Sequence, residues 1–279
     1  MVLVNLLRGG LGNQLFQYAA AFSLAKKFGF QLEHNSTLLP KREDAFRGVS
    51  RWPEQISAFR FSGLLQTDSG QPPYRTSVRS KIITLRLTAE KALTKLKREN
   101  WRFIHDENID DFLLMTKEQI LKERIYMYGY FQRLSLFETH KTEIYNQVSE
   151  MKRPSEMYLE FRHSLDFSLP VVHFRLGDKA LLDPGYTQTK IRKVCETLRS
   201  LELENSKFRV FTDTPSFFQG KSDTLFRNSE IFYAKELTPF ENLHLLAGHE
   251  FIVGSDSSFF WWASELQKHH KPEAKSFLF

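Results

Sequence analysis

Short apolar runs alternate with longer stretches of helical periodicity along most of the chain. VLVNLL at 2–7 has the length and composition of a buried strand, and QLFQYAAAFSLAKKFG at 14–29 carries a helix stopped by Gly29. FQLEH at 30–34 reads as a second strand. Between 35 and 77, Pro40, Pro53, Gly70, Pro72 and Pro73 interrupt any period, so irregular, loop-bearing structure is expected. A basic amphipathic helix is expected over 78–102, then a strand at 124–130 and a helix over roughly 133–151.

Pro154 and the polar stretch before Phe167 mark a boundary, after which the alternation sharpens. Strands are expected at 169–174, 207–211, 231–234 and 250–254, with helices near 189–203, at 237–248 and at 257–269. In LTPFENLHLLAG, Thr238 suits the N-cap, Pro239 the first helical position, and Glu241 completes a capping box. Strands separated by helices predict parallel sheets covered on both faces. The expected architecture is therefore α/β, with two Rossmann-like halves, 1–153 and 154–279, facing a cleft.

Composition narrows this picture. A chain of 279 residues with 41% apolar content can bury a sizeable core, and 26 Phe make that core aromatic-rich. A net charge of +6 favours anionic ligands or surfaces without choosing among nucleic acid, lipid and phosphate. The lone Cys195 excludes an intrachain disulfide and fits a reducing compartment. MVLVNLLRGGLG lacks a basic leader and a small-residue cleavage site, so it reads as a first strand. No apolar run approaches the roughly 18–20 residues of a spanning helix. The expectation is a cytoplasmic protein.

Four clusters carry chemistry, each at the junction of a strand and a helix. RGGLGNQLFQ places Gly9, Gly10 and Gly12 before a helix opening near Asn13, which suits either a tight turn or a loop facing an anion. Glu33, about 20 residues on, lets the same loop be read as a dinucleotide site, but Leu15 takes the place of the third glycine of that fingerprint. VVHFRLGDKALLDPGY gathers His173, Arg175, Asp178, Lys179 and Asp183 around Gly177. Arg175 and Lys179 can neutralise a phosphate, and His173 and Asp178 can orient a ligand or contact a base. A strand-end salt bridge from Arg175 to Asp178 is the plainer alternative. In VFTDTP, Asp213 ends a strand and either caps a helix or joins the same rim as Arg175. In GSDSSFFWWASEL, Ser255, Asp256, Ser257 and Ser258 crowd a helix start, as N-caps or as a phosphate cradle.

Taken in order, GGLGNQLFQYA, H-x-R-x-G-D, FTD and SDSSFFWWA resemble the α-1,2-fucosyltransferases of glycosyltransferase family 11, and GYFQ at 129–132 is similar to a further stretch of that family. The H-x-R core and glycine loop are also similar to those of α-1,6- and protein O-fucosyltransferases. The resemblance implies a GT-B arrangement, with the acceptor on the N-terminal side and the nucleotide sugar on the C-terminal side. It implies transfer of L-fucose from GDP-β-L-fucose to a sugar hydroxyl of a glycan, with inversion and without a metal or other cofactor. On that basis Arg175 holds the β-phosphate, His173 and Asp213 address the guanosine, and Ser257 and Ser258 bind the pyrophosphate. Gly10, Gly12 and Asn13 reach the donor from the first half, and Asp178 adds a donor contact. Lys179 and Asp183 occupy positions of a catalytic lysine and a carboxylate base. The chain departs from the family at Leu176, where a second arginine is usual, at Lys179, often aromatic, and at Asp256, usually Asn. A changed donor and a non-catalytic GDP or glycan binder are the alternatives these departures leave.

Developing charge on a departing GDP needs cations or N–H dipoles, which Arg175, Lys179 and two helix starts can supply. No D-x-D sequence occurs, and the histidines offer no metal set. The basic helix at 78–102, with Arg79, Lys81, Arg86, Lys91, Lys95, Lys97, Arg98 and Arg102 against Glu90 and Glu99, is either a solvated face or a peripheral contact with the inner face of a membrane and a lipid-linked acceptor. No nucleic-acid module accompanies this charge, so nucleic acid is not an expected partner.

Overall fold

Each of the two main sheets is built only from parallel strands, so neighbouring strands must be joined by crossovers rather than tight turns. The computed structural model describes residues 1–40, 44–46, 49–51, 53–66, 103–120, 123–175, 184–203, 206–212, 229–232 and 237–279. The strands are β1 (Val2–Leu6), β2 (Gln31–Asn35), β3 (Asp44–Phe46), β4 (Val49–Arg51), β5 (Leu64–Gln66), β6 (Phe103–Ile104) and β7 (Arg124–Met127), then β8 (Val171–Phe174), β9 (Phe208–Thr212), β10 (Ser229–Phe232), β11 (Phe251–Gly254) and β12 (Lys275–Leu278). The α-helices are α1 (Leu11–Phe28), α2 (Ile109–Leu113), α3 (Lys141–Ser149), α4 (Glu156–Ser164), α5 (Pro184–Ser200), α6 (Pro239–Gly248) and α7 (Ser258–His270). The first sheet runs β5-β2-β1-β7-β6 and the second β10-β9-β8-β11-β12, with β3 and β4 in a separate antiparallel pair.

The chain divides into two compact units, one of Met1–Arg42, Trp52–Ser57 and Phe61–Ile144, the other of Glu43–Arg51, Ala58–Arg60 and Tyr145–Phe279. The division falls within α3, whereas the sequence places the boundary at 153/154. Tyr145 explains the earlier position: its hydroxyl donates to Glu265 at 2.8 Å and its ring meets Trp262 edge-on, both within the second unit.

In the first unit α1 is apolar on almost every side, with Leu15, Tyr18, Ala19, Ala20 and Ala21 fully buried. Gly29 ends it in the left-handed region (φ 66), its N–H reaching the carbonyls of Ala25 and Lys26. The helix starts at Leu11, earlier than the apolar period indicates. His34 is buried beneath it, with Nδ1 3.1 Å from Asn5 Nδ2 and Nε2 2.9 Å from the Ser62 carbonyl. That network makes Nε2 the donor and Nδ1 the acceptor of a neutral ring. Burial pushes its pKa down to about 4.

The second unit buries Val172, Phe174, Val194, Leu198, Phe208, Val210 and Val253 between α5 and the sheet. Fully burying each such side chain stabilises the fold by about 1.5–3 kcal/mol. The Thr238–Glu241 capping box forms as the sequence indicates, Thr238 Oγ1 accepting the Glu241 N–H at 3.2 Å and Glu241 Oε2 accepting the Thr238 N–H at 2.8 Å. The other carboxylate oxygen of Glu241 accepts the Ser155 N–H at 2.7 Å, which ties the start of α4 to α6.

Several expectations change. The helix over 133–151 is interrupted: 3-10 turns at Leu134–Leu136 and Glu138–His140 precede α3, because Phe137 leaves helical backbone (φ −136) and turns into the core against Phe16. The strand at 124–130 stops at Met127. Helix α4 and strand β12 have no counterpart in the sequence reading, and β5 falls within the stretch read as irregular. The basic segment 78–102 lies outside the described residues, as do the last two positions of the strand expected at 231–234. Among the described residues no helix is long and apolar enough to cross a membrane.

Thr238→Ala removes one half of the capping box and is expected to lower unfolding free energy by about 1 kcal/mol in urea titrations, with the slope unchanged.

Candidate functional site

Strand order locates the site of the second unit. β8 leads through α5 to β9 and β10 on one side, while β11 leads through α7 to β12 on the other. The carboxyl ends of β8 and β11 therefore form the switch point at which open parallel sheets bind ligands. Register sets Gly254 beside His173 there, and Thr212 at the end of β9 beside Phe174.

His173 is buried, its ring stacked with Phe259 and Phe260 at centroid distances of 5.3 and 6.0 Å. Its Nδ1 makes no hydrogen bond. Burial first, then the positive charges of Arg175 and Lys190, push its pKa down to about 3, so the imidazole is neutral at ordinary pH and retains hydrogen-bonding capacity. Arg175 follows β8 directly and is half-buried. Lys190 comes from α5 and escaped the sequence reading, since no local motif marks it.

Beside them, β11 runs through buried Ser255 and exposed Asp256 into α7. Ser257 is the N-cap, its Oγ accepting the Phe260 N–H at 3.1 Å. No acidic residue lies in the first turn of α7, and the nearest carboxylate in the chain is that of Asp256, one position before the N-cap. Gly254 makes this junction possible: a Cβ there would lie 2.1 Å from Phe260 Cδ2. Phe260 and Trp262 are buried, as expected of residues packing α7 on the sheet, whereas Phe259 covers His173. The structure thus brings His173, Arg175, Ser257 and Ser258 to one sheet edge. Leu176, Asp178, Lys179 and Asp183 lie outside the described residues, and so does Asp213, which directly follows Thr212.

The first unit has its own cluster, at the carboxyl ends of β1 and β7. Gly9 takes a left-handed conformation (φ 73), and a Cβ on it would come within 2.6 Å of Asn13 Nδ2 and 3.2 Å of Tyr130 Cε1. It is therefore Gly9 whose backbone the turn demands, while Gly10 (φ −77, ψ 178) is the extended N-cap of α1 and Gly12 and Asn13 lie in its first turn. No side chain caps α1. Instead Gln17 grips the Arg8 backbone, accepting its N–H at 2.9 Å and donating to its carbonyl at 2.8 Å. Gln14 donates to the carbonyls of Gly9 and Pro53 and accepts the Gln55 N–H.

GYFQ supplies the opposite wall. Asp106 accepts the N–H groups of Tyr130 and Phe131, at 2.9 and 2.6 Å, and this holds Phe131 at a positive φ of 52. Gln132 Nε2 donates to Asn13 Oδ1 at 2.7 Å. The Arg8 guanidinium lies over the rings of Tyr128 (4.8 Å) and Tyr130 (4.5 Å). No local signal marks Arg8, Tyr130 or Gln132 singly, and in the sequence only the GYFQ stretch points to this wall. Glu33, the acid needed for a dinucleotide ribose, instead pairs with Val4 in mid-strand, is buried, and forms an ion pair with Arg124. The dinucleotide reading of this loop therefore loses its acid. Among the described residues no group of His, Cys, Asp and Glu side chains could hold a metal.

Two parallel-sheet α/β units, each with polar side chains gathered at strand ends, define a fold of the GT-B type. No protein-family model and no curated protein matches the sequence. Among solved structures, the chain is similar to a NodZ α-1,6-fucosyltransferase soaked with GDP-fucose, at TM-score 0.52 and 15% identity over 95% of this chain and 92% of that one. It is also similar to FUT1 of Arabidopsis thaliana in complex with GDP, at TM-score 0.56 and 11% identity over 99% and 69%. A third likeness is to POFUT1 in complex with GDP, at TM-score 0.54 and 12% identity over 100% and 98%. At such identities the likeness establishes the fold alone.

Two outcomes follow for this site. Gly254→Ala is expected to destabilise the protein by about 1–3 kcal/mol, read from the urea midpoint, because α7 must move off β11. Stability should also fall with acidity. Unfolded imidazoles titrate near 6.5, whereas burial holds folded His34 and His249 near 4 and His173 near 3. The unfolded chain then takes up protons first as pH drops through 6.5, so these groups contribute fully above that value and lose roughly 1 kcal/mol per pH unit each below it. Unfolding free energies at pH 7.5 and pH 5 test this, and equal values would contradict it.

Proposed function

We propose that the protein is a GDP-fucose-dependent fucosyltransferase that moves L-fucose to a sugar hydroxyl with inversion, forming an α-1,2 linkage. The observation that carries the reading is the switch point between β8 and β11, where neutral His173 and cationic Arg175 stand beside the start of α7. Neighbours of the same fold were solved with GDP or GDP-fucose, which supports a guanosine diphosphate sugar as donor.

In this reading Arg175 holds the β-phosphate through its planar fork of N–H donors. The start of α7, with Ser257 and Ser258, receives the pyrophosphate. His173, uncharged and stacked, offers Nδ1 to the nucleoside together with Asp213. The bond from the fucose anomeric carbon to the phosphate oxygen breaks, leaving the electron pair on GDP. The acceptor oxygen forms the new bond on the opposite face and yields its proton to Asp183, the base indicated by the motif. Arg175, Lys179 and Lys190 stabilise the leaving charge, so no metal is required. Asp178, Gly10, Gly12 and Asn13 complete the donor contacts. The acceptor is a glycan, and the basic composition of segment 78–102 supports a peripheral contact with the cytoplasmic face of an anionic membrane, where a lipid-linked acceptor would lie.

Thermal melting in EDTA with GDP, UDP or NAD tests the donor site. GDP at 100 times its Kd is expected to add about 2.7 kcal/mol of stability, with no shift from UDP or NAD. Arg175→Ala should lower transfer from GDP-fucose by about 10²–10³-fold while preserving the fold, since one preorganised charge donor is removed. Turnover at the wild-type rate in that variant would overturn the assignment.

A further inference from the structure

The Arg8 cluster makes a claim of its own. β1 leads to β2 and β5 on one side of the first sheet, and β7 and β6 occupy the other, so the order reverses at β1 and β7. Arg8 lies just beyond one of these strands and Tyr128 and Tyr130 just beyond the other. Gln17 fixes the Arg8 main chain at both its N–H and its carbonyl. The guanidinium carbon lies over both tyrosine rings, 4.8 and 4.5 Å from their centroids, in cation–π contacts that leave its charge unneutralised. Among the described residues no carboxylate pairs with Arg8, and no acidic residue lies in the first turn of α1. Asn13, its Oδ1 engaged by Gln132, presents Nδ2 as a donor beside Gly9 and Tyr130.

A guanidinium over two aromatic rings, with no carboxylate partner among the described residues and an amide donor close by, is suited to receive a planar or tetrahedral oxyanion bidentately. We propose that the β1/β7 edge is an acceptor subsite selecting sugars that carry a negative charge, a carboxylate or a phosphate, through Arg8. This rests on the transferase reading for its place in the reaction. Tyr130 acts as a positioning residue through its ring contact with the guanidinium, and Asp106 holds Tyr130 in turn through its backbone.

The test is calorimetric binding to the full-length protein of three probes: a disaccharide ending in glucuronic acid, its carboxyl-reduced neutral counterpart, and a sugar 1-phosphate. Wild type is expected to bind at least one anionic probe about tenfold or more tighter than the neutral one, the worth of a charge-assisted bidentate contact. Arg8→Gln should bring that ratio close to one, and Arg8→Lys, which keeps charge without the planar fork, should restore part of it. Tyr130→Leu should lower the ratio with Arg8 intact. A preference for the uronate assigns a carboxylate, and a preference for the sugar phosphate assigns a phosphate. Equal binding of acidic and neutral probes by wild type, or a ratio unchanged in both Arg8 variants, would overturn the proposal. A wild-type protein that selects acidic sugars yet gains no stability from GDP would instead remove the transferase reading and leave the subsite standing.

Discussion

Parallel strand pairing is the constraint on which the rest depends. Because β8, β9 and β11 all point the same way, their carboxyl ends share an edge, and whatever follows each strand is delivered there. The His173–Arg175 stretch, Thr212 and Ser255 are far apart in sequence but neighbours at this edge. Each leaves its strand at the same edge. The first sheet repeats the logic with Arg8 after β1, His105 and Asp106 after β6, and Tyr128 to Gln132 after β7. An antiparallel arrangement of the same strands would scatter these groups between opposite edges.

Within that frame, the loop after β1 is held by buried amides and a left-handed glycine, and the loop after β7 by the Asp106 carboxylate. Gln14 and Gln17 are fully buried, and they bond the backbone of Arg8, Gly9, Pro53 and Gln55 around the start of α1, whose first-turn N–H groups no side chain caps. Among the described residues no acidic side chain lies in the first turn of that helix, and no carboxylate forms an ion pair with Arg8. At α7 a serine caps the helix without adding negative charge, and Gly254 lets Phe260 close against the strand. Neither helix carries an acidic N-cap, which would have diminished the positive end of its dipole.

Electrostatics also accounts for the condition of His173. A protonated imidazole between two phenylalanine rings and near two cations would be strongly disfavoured, and burial alone is the larger cause. The residue is therefore a neutral polar group in an apolar setting, with an unbonded Nδ1. Proton removal in the proposed reaction falls to a carboxylate, while the positive charge stays with Arg175 and Lys190.

Local pattern made several elements legible before any tertiary contact was considered. The stop of α1 at Gly29, the Thr238–Glu241 capping box and the apolar runs of β1, β8, β9 and β11 are set by dihedral preference, short-range hydrogen bonding and periodicity, all contained within a few residues. The H-x-R stretch and the serine-rich helix start were also legible, because strand-to-helix junctions in α/β chains carry recognisable glycine and hydroxyl residues. Strand order was not: nothing local to FIVG says that it lies beside VVHF, nor that KSFL extends the sheet as β12. The break before α3 was hidden for a similar reason, since Phe137 leaves the helix only because Phe16 offers a partner in the core. Arg8 on Tyr128 and Tyr130, and Lys190 near His173, belong to the same class. Their meaning comes from contacts between distant segments, whose energy depends on how whole elements pack, and only the tertiary structure decides that.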